Sequence, residues 1–463
     1  MTYAEALAYL ESFIHGTTEA VAHRDPHRAP DARLAMTGAL LDGMGNPQRA
    51  FRSVHVGGTS GKGSIATFIA SILQAAGYKT GLHTSPYVQT PEEKILVNGE
   101  QITEGDFIRL VEGLLRLLEG ENPPVDLSKL SYVPVGTALT FQHFAQQHVD
   151  YGVAEVSLGG RYDPTNVLEP EVAVVTNVGL DHLNVLGRTV REIAWHKAGI
   201  VKQGIGVMTG VRQPSAMRVV EAECAEKNAA LYKLGSDVTY RIKAASGDGS
   251  VFDATCMGTR YSDLEVGMLG EHQVSNACLA LGAAHLLAER GARIPEAAIR
   301  RGLLSARIPG RMEIVQREPT VMLDGAHNPE KARTLRRALD GLFPSQQRIF
   351  VLGIGSAKDA SGVLDALVPG ASLVFCTDAS VLGKPASSPE SLAEQVRALG
   401  VEARVEPDPM TAVERALEAA SSSSILCITG SLYLVGAVRG RWRSAGAFEQ
   451  AATGAQALPA GKA

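Results

Sequence analysis

The stretch that decides the fold is residues 54–64, which read VHVGGTSGKGS. A short β-branched run leads into glycines, and residues 65–74 then carry apolar side chains at helical spacing. A strand, a Gly-rich loop and a helix in this order are typical of a phosphate-binding loop, where glycines let backbone N–H groups turn toward phosphate oxygens. The helix directs its positive end at the same anion. Lys62 would add a positive charge, and Ser64 a hydroxyl for Mg²⁺.

The match to the usual pattern G-x-x-x-x-G-K-[ST] is incomplete. Val56 stands where the first glycine is expected, and Gly63 separates Lys62 from Ser64. The alternative is an ordinary tight turn with a surface lysine. Because the sequence and its strand–helix context agree, we favour the phosphate-binding loop.

Composition describes a multidomain globular protein. The 463 residues exceed one hydrophobic core, so two or three domains are expected. A formal net charge of −5 gives no overall electrostatic case for a nucleic-acid partner. The five cysteines are far apart and contain no CxxC pair, which argues against a zinc site and suits the reducing cytoplasm. We expect no secretory signal and no membrane segment, since no apolar run approaches ~20 residues.

The order of predicted elements indicates an α/β fold in two domains. Residues 1–306 would form the larger domain, with N-terminal helices and a mostly parallel sheet that contains the phosphate-binding loop. The pattern restarts after residues 308–311, so residues 307–443 are expected to form a smaller, Rossmann-like α/β domain. The Ala/Gly-rich residues 444–463 are predicted to be a disordered tail.

The apolar patterns predict the following elements. Strands are expected at 78–83, 151–156, 172–177, 206–209, 229–233, 321–323, 349–354, 373–377, 403–405 and 425–429, with hairpins over 238–267. Helices are expected at 3–14, 31–44, 107–119, 135–148, 191–201, 273–289, 295–305, 329–342 and 389–399.

Polar side chains stand at the carboxyl ends of two predicted strands. Glu155 ends the strand at 151–156, and His182 follows the strand at 172–177. Ligands of open α/β sheets gather at this edge. Ser64, Glu155 and His182 together could hold Mg²⁺, although an imidazole is an unusual ligand for that ion. Taken alone, His182 is more typical of a turn histidine, whereas a carboxylate in an apolar strand needs a partner.

Two further stretches carry reactive side chains. Lys197 lies in a predicted helix and, taken alone, is typical of a helix-surface lysine. Residues 324–329 read DGAHNP and follow an apolar strand, so Asn328 would cap the next helix and Pro329 would begin it. Capping does not explain Asp324 and His327, which stand where a nucleotide or a reacting carboxylate would bind.

Taken together, these stretches resemble the folylpolyglutamate synthase family of the Mur ligase superfamily, whose members are often also dihydrofolate synthases. The resemblance is carried in family order from about residue 50 to 436 by residues 58–64, 84–87 (TSPY), 155–166 (EVSLGGRYDPTN), 176–186 (TNVGLDHLNVL), 197–200, 309–311, 324–329 and 429–436 (TGSLYLVG). Three positions depart from it. Ser60 stands where the family usually has Asn, Gly57 where Ala is common and Ser157 where Gly is common.

The resemblance implies an ATP-dependent amide ligase that adds L-glutamate to a folate, and to dihydropteroate, through an acyl phosphate. It implies catalytic roles for Lys62, Lys197, Asp324 and His327. It implies Mg²⁺ binding by Ser64, Glu155, His182 and a carbamylated Lys197, with K⁺ as a further candidate ion. The implied ATP-binding residues are Gly58, Thr59, Ser60, Gly61, Lys62, Gly63, Ser64, Asn276, Arg311, Asp324 and His327. We expect a cytoplasmic monomer with small-molecule substrates.

The acceptor pocket is expected to involve two loops. The resemblance implies substrate contacts by Thr84, Ser85, Pro86 and Tyr87, and side chains next to Gly159-Gly160 should border the same pocket. Arg161 and Asp163 stand there, and a carboxylate such as Asp163 can pair with the aminopyrimidine edge of a pterin. The alternative is a loop ion pair between Arg161 and Asp163, worth ~0–1 kcal/mol if exposed.

Other protein classes remain open at this point. A P-loop kinase would share the loop but would more often keep the unmodified spacing. A nucleotide-binding regulatory protein without activity would be expected to lose Glu155, His182 or Lys197. A cell-wall Mur ligase is the nearest enzymatic rival, and a folylpolyglutamate synthase without dihydrofolate synthase activity is the nearest of all. The stretches at 84–87 and 155–166 favour the folate enzymes.

Overall fold

The structure is a computed structural model of the chain, and it describes residues 1–14, 32–127, 130–381 and 384–444. These residues form three sheets surrounded by helices. The tail predicted at 444–463 lies, apart from its first residue, outside the described residues.

The largest sheet has eight strands: β1 (Arg52–Gly57), β2 (Thr80–His83), β3 (Leu96–Val97), β4 (Glu100–Gln101), β5 (Tyr151–Glu155), β6 (Val172–Val175), β7 (Gly206–Thr209) and β8 (Ala230–Lys233). They lie in the order β4-β3-β2-β5-β1-β6-β7-β8. Six of them are mutually parallel, and β3 and β4 add an antiparallel hairpin at one edge. This confirms the mostly parallel sheet. Its central strands are buried along their length, which explains their continuous apolar sequences.

Ten helices accompany this sheet within the described ranges: α1 (Tyr3–Glu11), α2 (Ala32–Gly43), α3 (Lys62–Ala75), α4 (Glu104–Leu118), α5 (Tyr132–Gln146), α6 (Leu183–Leu186), α7 (Val190–Ala198), α8 (Pro214–Glu226), α9 (Glu271–Glu289) and α10 (Glu296–Ser305). Helix α3 packs in one core with α9 and α10, while α7 and α8 share another core with β6 and β7. The four helices α1, α2, α4 and α5 form a further apolar layer. Among the described residues, none of the helices has the length and apolar character needed to cross a bilayer.

A small antiparallel sheet follows the large one. It consists of β9 (Val238–Ser246), β10 (Gly249–Cys256) and β11 (Thr259–Val266), and β10 pairs with both neighbours. The buried side chains of β10 and β11 pack in the same core as α9. The alternating sequence had predicted these hairpins.

The third sheet has six strands: β12 (Glu313–Arg317), β13 (Thr320–Leu323), β14 (Gln347–Leu352), β15 (Leu373–Cys376), β16 (Ala403–Val405) and β17 (Ser424–Thr429). Their order is β12-β13-β17-β14-β15-β16, and β12 is the antiparallel edge strand. The helices are α11 (Pro329–Leu342), α12 (Ala360–Leu367), α13 (Pro389–Ala398), α14 (Pro409–Ala419) and α15 (Leu432–Arg439). Two apolar cores accompany this sheet, as expected for a second α/β unit.

Several boundaries differ from the sequence-based expectations. The elements β12, α12, α14 and α15 were not predicted. The helix expected to begin near Ser64 begins at Lys62, because Gly61 adopts a left-handed conformation with φ of 81° and acts as its N-cap. The helix expected over 191–201 ends at Ala198.

Candidate active site

The phosphate-binding loop follows β1, which lies between β5 and β6. Residues after β6 hold its backbone: Asn177 Oδ1 accepts a hydrogen bond from Ser60 N at 2.9 Å, and Thr176 Oγ1 donates to Ser60 O at 2.7 Å. Gly58 has a φ of 143°, and a Cβ there would lie 1.8 Å from Thr176 Oγ1. The loop can therefore take this path only with glycine at position 58.

Asn276 contacts the same loop from helix α9. A Cβ on Gly61 would lie 2.6 Å from Asn276 Oδ1, so the loop backbone and this amide are in close contact. Asn276 Nδ2 donates to Gln273 Oε1 at 2.9 Å, which fixes the orientation of the amide. The structure thus brings the predicted Asn276 to the loop.

Glu155 ends β5 directly beside the loop. Its side chain is buried, with Oε2 accepting from Ser85 N at 3.0 Å and Oε1 lying 4.0 Å from Lys62 Nζ. Burial raises the pKa of Glu155, although the charge of Lys62 opposes this. The site therefore contains a carboxylate that is expensive to keep ionised without a nearby cation.

His182 is the N-cap of the short helix α6 and is exposed rather than buried. Its side chain is 48% exposed, and Nε2 lies 3.8 Å from Asp181 Oδ2. Burial lowers the pKa of His182, and the charges of Lys62 and Lys197 lower it further. Throughout the described ranges, no group of three or more His, Cys, Asp and Glu side chains is placed to hold a metal ion. The predicted set contains only two such residues, Glu155 and His182.

Lys197 is buried, so its interpretation as a surface lysine is wrong. Only 3% of the residue is exposed, and Nζ donates to Gly58 O at 2.8 Å. The face of α7 that carries Lys197 packs against the phosphate-binding loop, which helical spacing alone could not show. Burial and the charge of Lys62 lower the pKa of Lys197 to about 7.

The loop after β13 presents Asp324 and His327. Asp324 Oδ2 accepts from Met312 N and Oδ1 from Ala326 N, both at 2.9 Å. Burial raises the pKa of Asp324, while the Arg311 charge opposes the rise. Asn328 Oδ1 accepts from the backbone N–H of Lys331, which confirms the predicted N-cap before Pro329.

A cavity lies between the phosphate-binding loop and the second α/β unit. It is lined by the predicted acceptor stretch Thr84, Ser85, Pro86 and Tyr87 and by Gly63, Glu155, Arg307, Arg311 and Leu432. The structure thus brings together Glu155, the TSPY stretch and Arg311 around one space.

Arg161 and Asp163 are not among the residues that line this cavity. Arg161 pairs with Glu223 at 2.5 Å and stacks on Trp195, so the proposed ion pair with Asp163 is wrong. Asp163 is buried and accepts hydrogen bonds within its own loop, from Leu158 N and from Thr165 N and Oγ1.

The sequence analysis missed one lysine at the site, Lys331. Lys331 Nζ lies 3.2 Å from His327 Nε2, and burial, together with the charges of Arg311, Lys62 and Lys358, lowers the pKa of Lys331 to about 8. Lys331 follows the DGAHNP motif by two residues, in the first turn of α11. A lysine in the first turn of a helix is unfavourable, because its positive charge meets the positive end of the helix dipole. This unusual position is the sequence signal that could have identified Lys331.

Comparison with known proteins agrees with this architecture. Residues 56–284 match the Mur ligase middle domain, and residues 310–432 match the Mur ligase glutamate ligase domain. Folylpolyglutamate synthase from Lacticaseibacillus casei is 35% identical, covering 95% of this chain and 98% of its own. Dihydrofolate synthase/folylpolyglutamate synthase from Bacillus subtilis is 36% identical, covering 87% of this chain and 93% of its own.

A solved structure shows the same arrangement over nearly the whole chain. Folylpolyglutamate synthase from Mycobacterium tuberculosis, solved in complex with ADP, has a TM-score of 0.82 and 30% identity. The alignment covers 95% of this chain and 100% of that chain. With both Mur ligase domains present and relatives similar from end to end, the chain belongs to the folylpolyglutamate synthase family of Mur-type ligases.

Proposed function

We propose that this protein is an ATP-dependent ligase that joins the amino group of L-glutamate to a carboxyl group of a folate, and of dihydropteroate. One observation carries the proposal. A phosphate-binding loop and a buried carboxylate from the first α/β unit share one cavity with cations at the start of the second unit: Gly63, Glu155 and Arg311 line that cavity, and Lys62 Nζ lies 4.0 Å from Glu155 Oε1. Family membership supports the same reaction, because the B. subtilis relative carries both activities in its name.

The reaction needs an activated acceptor, since a carboxylate is a poor electrophile. An acceptor carboxylate oxygen bonds to the γ-phosphorus of ATP while the bond to the ADP oxygen breaks. The glutamate nitrogen then bonds to the acyl carbon, phosphate leaves with the bonding electron pair, and the amine loses a proton. Catalysis of both steps depends on positioning and on charge neutralisation at the transferring oxygens.

The residues around the loop divide this work. Lys62 and the loop N–H groups would hold phosphate oxygens, with Asn276 and Thr176 fixing the loop's shape. The cavity along residues 84–87 would hold the acceptor with its carboxylate toward Glu155 and Arg311. Residues 1–306 and 307–443 would act as two domains joined at 308–311, and closure of the domains would exclude water.

The residues present fit Mg²⁺. Glu155 is a buried carboxylate with a raised pKa, and Ser64 is a buried hydroxyl two residues after Lys62. Such hard oxygen donors are what Mg²⁺ prefers, and the ion would supply charge neutralisation at the phosphates. His182 would approach from the exposed side, and a carbamylated Lys197 would add an anion. K⁺ remains a further candidate.

We further propose that the protein is a cytoplasmic monomer. All five cysteines are buried and free, which suits a reducing compartment.

Phosphate release tests the proposed function. The protein is assayed with ATP, L-glutamate and one acceptor at a time: tetrahydrofolate, dihydropteroate or a muropeptide precursor. We expect release that requires both glutamate and a folate-type acceptor. Release with the muropeptide alone would favour a cell-wall ligase, and release without glutamate would contradict ligase activity.

A further inference from the structure

Lys331 occupies a position that is unfavourable for a cation. It lies in the first turn of α11, three residues after the N-cap Asn328, where the helix dipole is positive. Burial lowers the pKa of Lys331 to about 8, and the charges of Arg311, Lys62 and Lys358 contribute to this shift. Asp181 opposes it. Burial, the dipole and three like charges all therefore act against an ammonium group here.

His327 determines how the Lys331 ammonium is held. His327 Nδ1 lies 2.8 Å from Gly325 O, and since a carbonyl can only accept, Nδ1 carries the proton. Burial and the nearby cations lower the pKa of His327 to about 3, so the ring is neutral and Nε2 has a free lone pair. Lys331 Nζ, at 3.2 Å, donates to that lone pair. In this arrangement both ring nitrogens are engaged, and the N–H groups left to meet a ligand belong to Lys331.

Carboxylates act on the surrounding cations without forming close ion pairs: Glu155 and Asp324 act on Arg311, and Asp181 acts on Lys331. Within the part of the chain that the structure describes, His327 is the side chain that Lys331 Nζ bonds. Lys62 reaches Glu155 only at 4.0 Å, and Arg311 Nη1 donates to the carbonyl of Gly310. The three residues come from the phosphate-binding loop, the connection after α10 and the first turn of α11. A bound anion would offset the repulsion among them.

A purely structural role explains Lys331 less well. A neutral side chain could donate to His327 without the cost of burying a charge near other cations. A cation kept in such a place is typical of a functional site.

We propose that Lys331 binds a phosphate oxygen of the nucleotide from the second α/β unit, facing Lys62 across the cleft, while His327 anchors its ammonium. The inference rests on the proposed function, because it takes the nucleotide as the anion. Phosphate is favoured over the carboxylates of glutamate because the first turn of α11 lies beside the phosphate-binding loop: a Cβ on Gly179 would lie 3.4 Å from Glu330 Oε2 and 3.7 Å from Thr59 Cγ2. Lys331 would thus help to couple nucleotide binding to domain closure.

The test measures binding and steady-state kinetics in four proteins. ATP and ADP binding are titrated calorimetrically in the wild-type protein and in Lys331→Met, Lys331→Arg and Arg333→Met. We expect Lys331→Met to weaken ATP binding by about tenfold or more and to raise KM for ATP while leaving KM for glutamate unchanged. Lys331→Arg should retain most of the affinity. Arg333→Met removes a charge from an exposed position on the same helix and should bind as the wild type does.

Each outcome has a distinct meaning. A wild-type protein that does not bind ATP contradicts the proposed function itself. A wild-type protein that binds ATP, together with a folded Lys331→Met that binds equally well, overturns only the inference about Lys331. A change confined to KM for glutamate also overturns it and assigns Lys331 to the amino-acid substrate. If Lys331→Met does not fold, Lys331→Gln removes the same charge with a polar side chain and is judged by the same criteria.

Discussion

Lys197 is the residue whose environment departs most from its sequence context. Its amine is buried against Gly58 O, and its pKa of about 7 leaves a large neutral fraction near neutral pH. A neutral amine is the form that reacts with CO₂, so carbamylation of Lys197 is expected to decrease as the pH falls below about 7. We predict that Lys197→Ala loses roughly 10–100-fold or more in activity and is partly rescued by small carboxylates. Intact-mass spectrometry of the active protein should show one added carboxyl group.

Lys227→Ala provides the control for this experiment, because Lys227 is a lysine at the exposed C-terminal end of α8. It should retain wild-type activity and respond to no carboxylate. An active wild-type protein whose intact mass shows no added carboxyl group would count against carbamylation of Lys197.

A substitution at Asp163 tests whether this residue distinguishes the two acceptors, dihydropteroate and tetrahydrofolate. Its carboxylate accepts hydrogen bonds from Leu158 and Thr165, so at minimum it organises the loop after β5. If it also contacts a pterin, Asp163→Asn should reduce activity with dihydropteroate by roughly tenfold more than activity with tetrahydrofolate. Both acceptors are assayed at saturating ATP and glutamate.

The matched control is Asp408→Asn, since Asp408 also accepts from a nearby threonine, through both N and Oγ1 of Thr411, but caps α14 in the second unit. Equal loss with both acceptors in Asp163→Asn would assign Asp163 a structural role. A wild-type protein that does not use dihydropteroate would be a folylpolyglutamate synthase only.

At the scale of elements, the phosphate-binding loop depends on one glycine. A Cβ at position 58 would lie 1.8 Å from Thr176 Oγ1, and φ there is 143°, so Gly58→Ala must displace the loop. We predict that this variant loses ATP binding and ~1–3 kcal/mol of stability. Calorimetric ATP titration and chemical denaturation measure the two effects.

Gly77→Ala separates the effect of backbone strain at a positive φ from the effect of a steric clash with the added Cβ. Gly77 has a φ of 94° in the turn after α3, but a Cβ there would have no atom within 4 Å. This variant should lose some stability and keep its ATP affinity. Equal effects of the two substitutions on ATP binding would contradict the close packing of the loop.

The elements predicted best from the sequence are those whose ends are marked by nearby residues, such as an N-cap. Helix α11 was placed at its observed bounds because Asn328 caps it and Pro329 begins it. Helices α12 and α14 also begin after capping aspartates, Asp359 and Asp408, but these short helices were not predicted. Burial of Lys197 could not be predicted, because it depends on which face of α7 meets a loop about 140 positions earlier in the chain. The contact between Lys331 and His327 depends on rotamers and tautomer, which spacing does not determine.

At the scale of the whole molecule, two buried histidines make the folding stability depend on pH. Burial lowers the pKa of His55 and of His83 to about 3. In the unfolded chain a histidine titrates near ~6.5, so below that pH the unfolded state binds more protons and folding stability falls as the pH decreases toward 3. Each histidine should lower the free energy of unfolding by ~2 kcal/mol at about pH 5, relative to its value at neutral pH.

His55→Gln tests this linkage, because glutamine can keep the contact that His55 Nε2 makes with Thr165 Oγ1. Urea denaturation between about pH 7 and 5 should show a smaller loss of stability in His55→Gln than in the wild type. His148→Asn, at an exposed position with positive φ, serves as the control. An unchanged pH dependence in His55→Gln would contradict a neutral buried His55.

The two α/β units meet where helix α15 approaches the segment after the TSPY stretch. A Cβ on Gly436 would lie 1.9 Å from Val88 O, and Arg439 Nη1 donates to Gln89 Oε1 at 2.6 Å. The buried Arg439 also pairs with Glu313, whose Oε2 accepts from Gly310 N in the connection between the units. The acceptor stretch, the connection and α15 are therefore held by one set of contacts.

The substitution Gly436→Ala should disrupt these contacts between α15 and the acceptor stretch. The added methyl group cannot fit against the Val88 carbonyl, so α15 must move and the contact between Arg439 and Gln89 must lengthen. We predict a loss of ~1–3 kcal/mol in stability, a second transition in scanning calorimetry and a raised KM for the folate acceptor. Gly440→Ala is the matched control, because its Cβ would meet only Gln89 Nε2, at 3.8 Å. A single wild-type transition and unchanged KM in Gly436→Ala would mean that the units do not depend on this contact, and the acceptor stretch would then be positioned by the first unit alone.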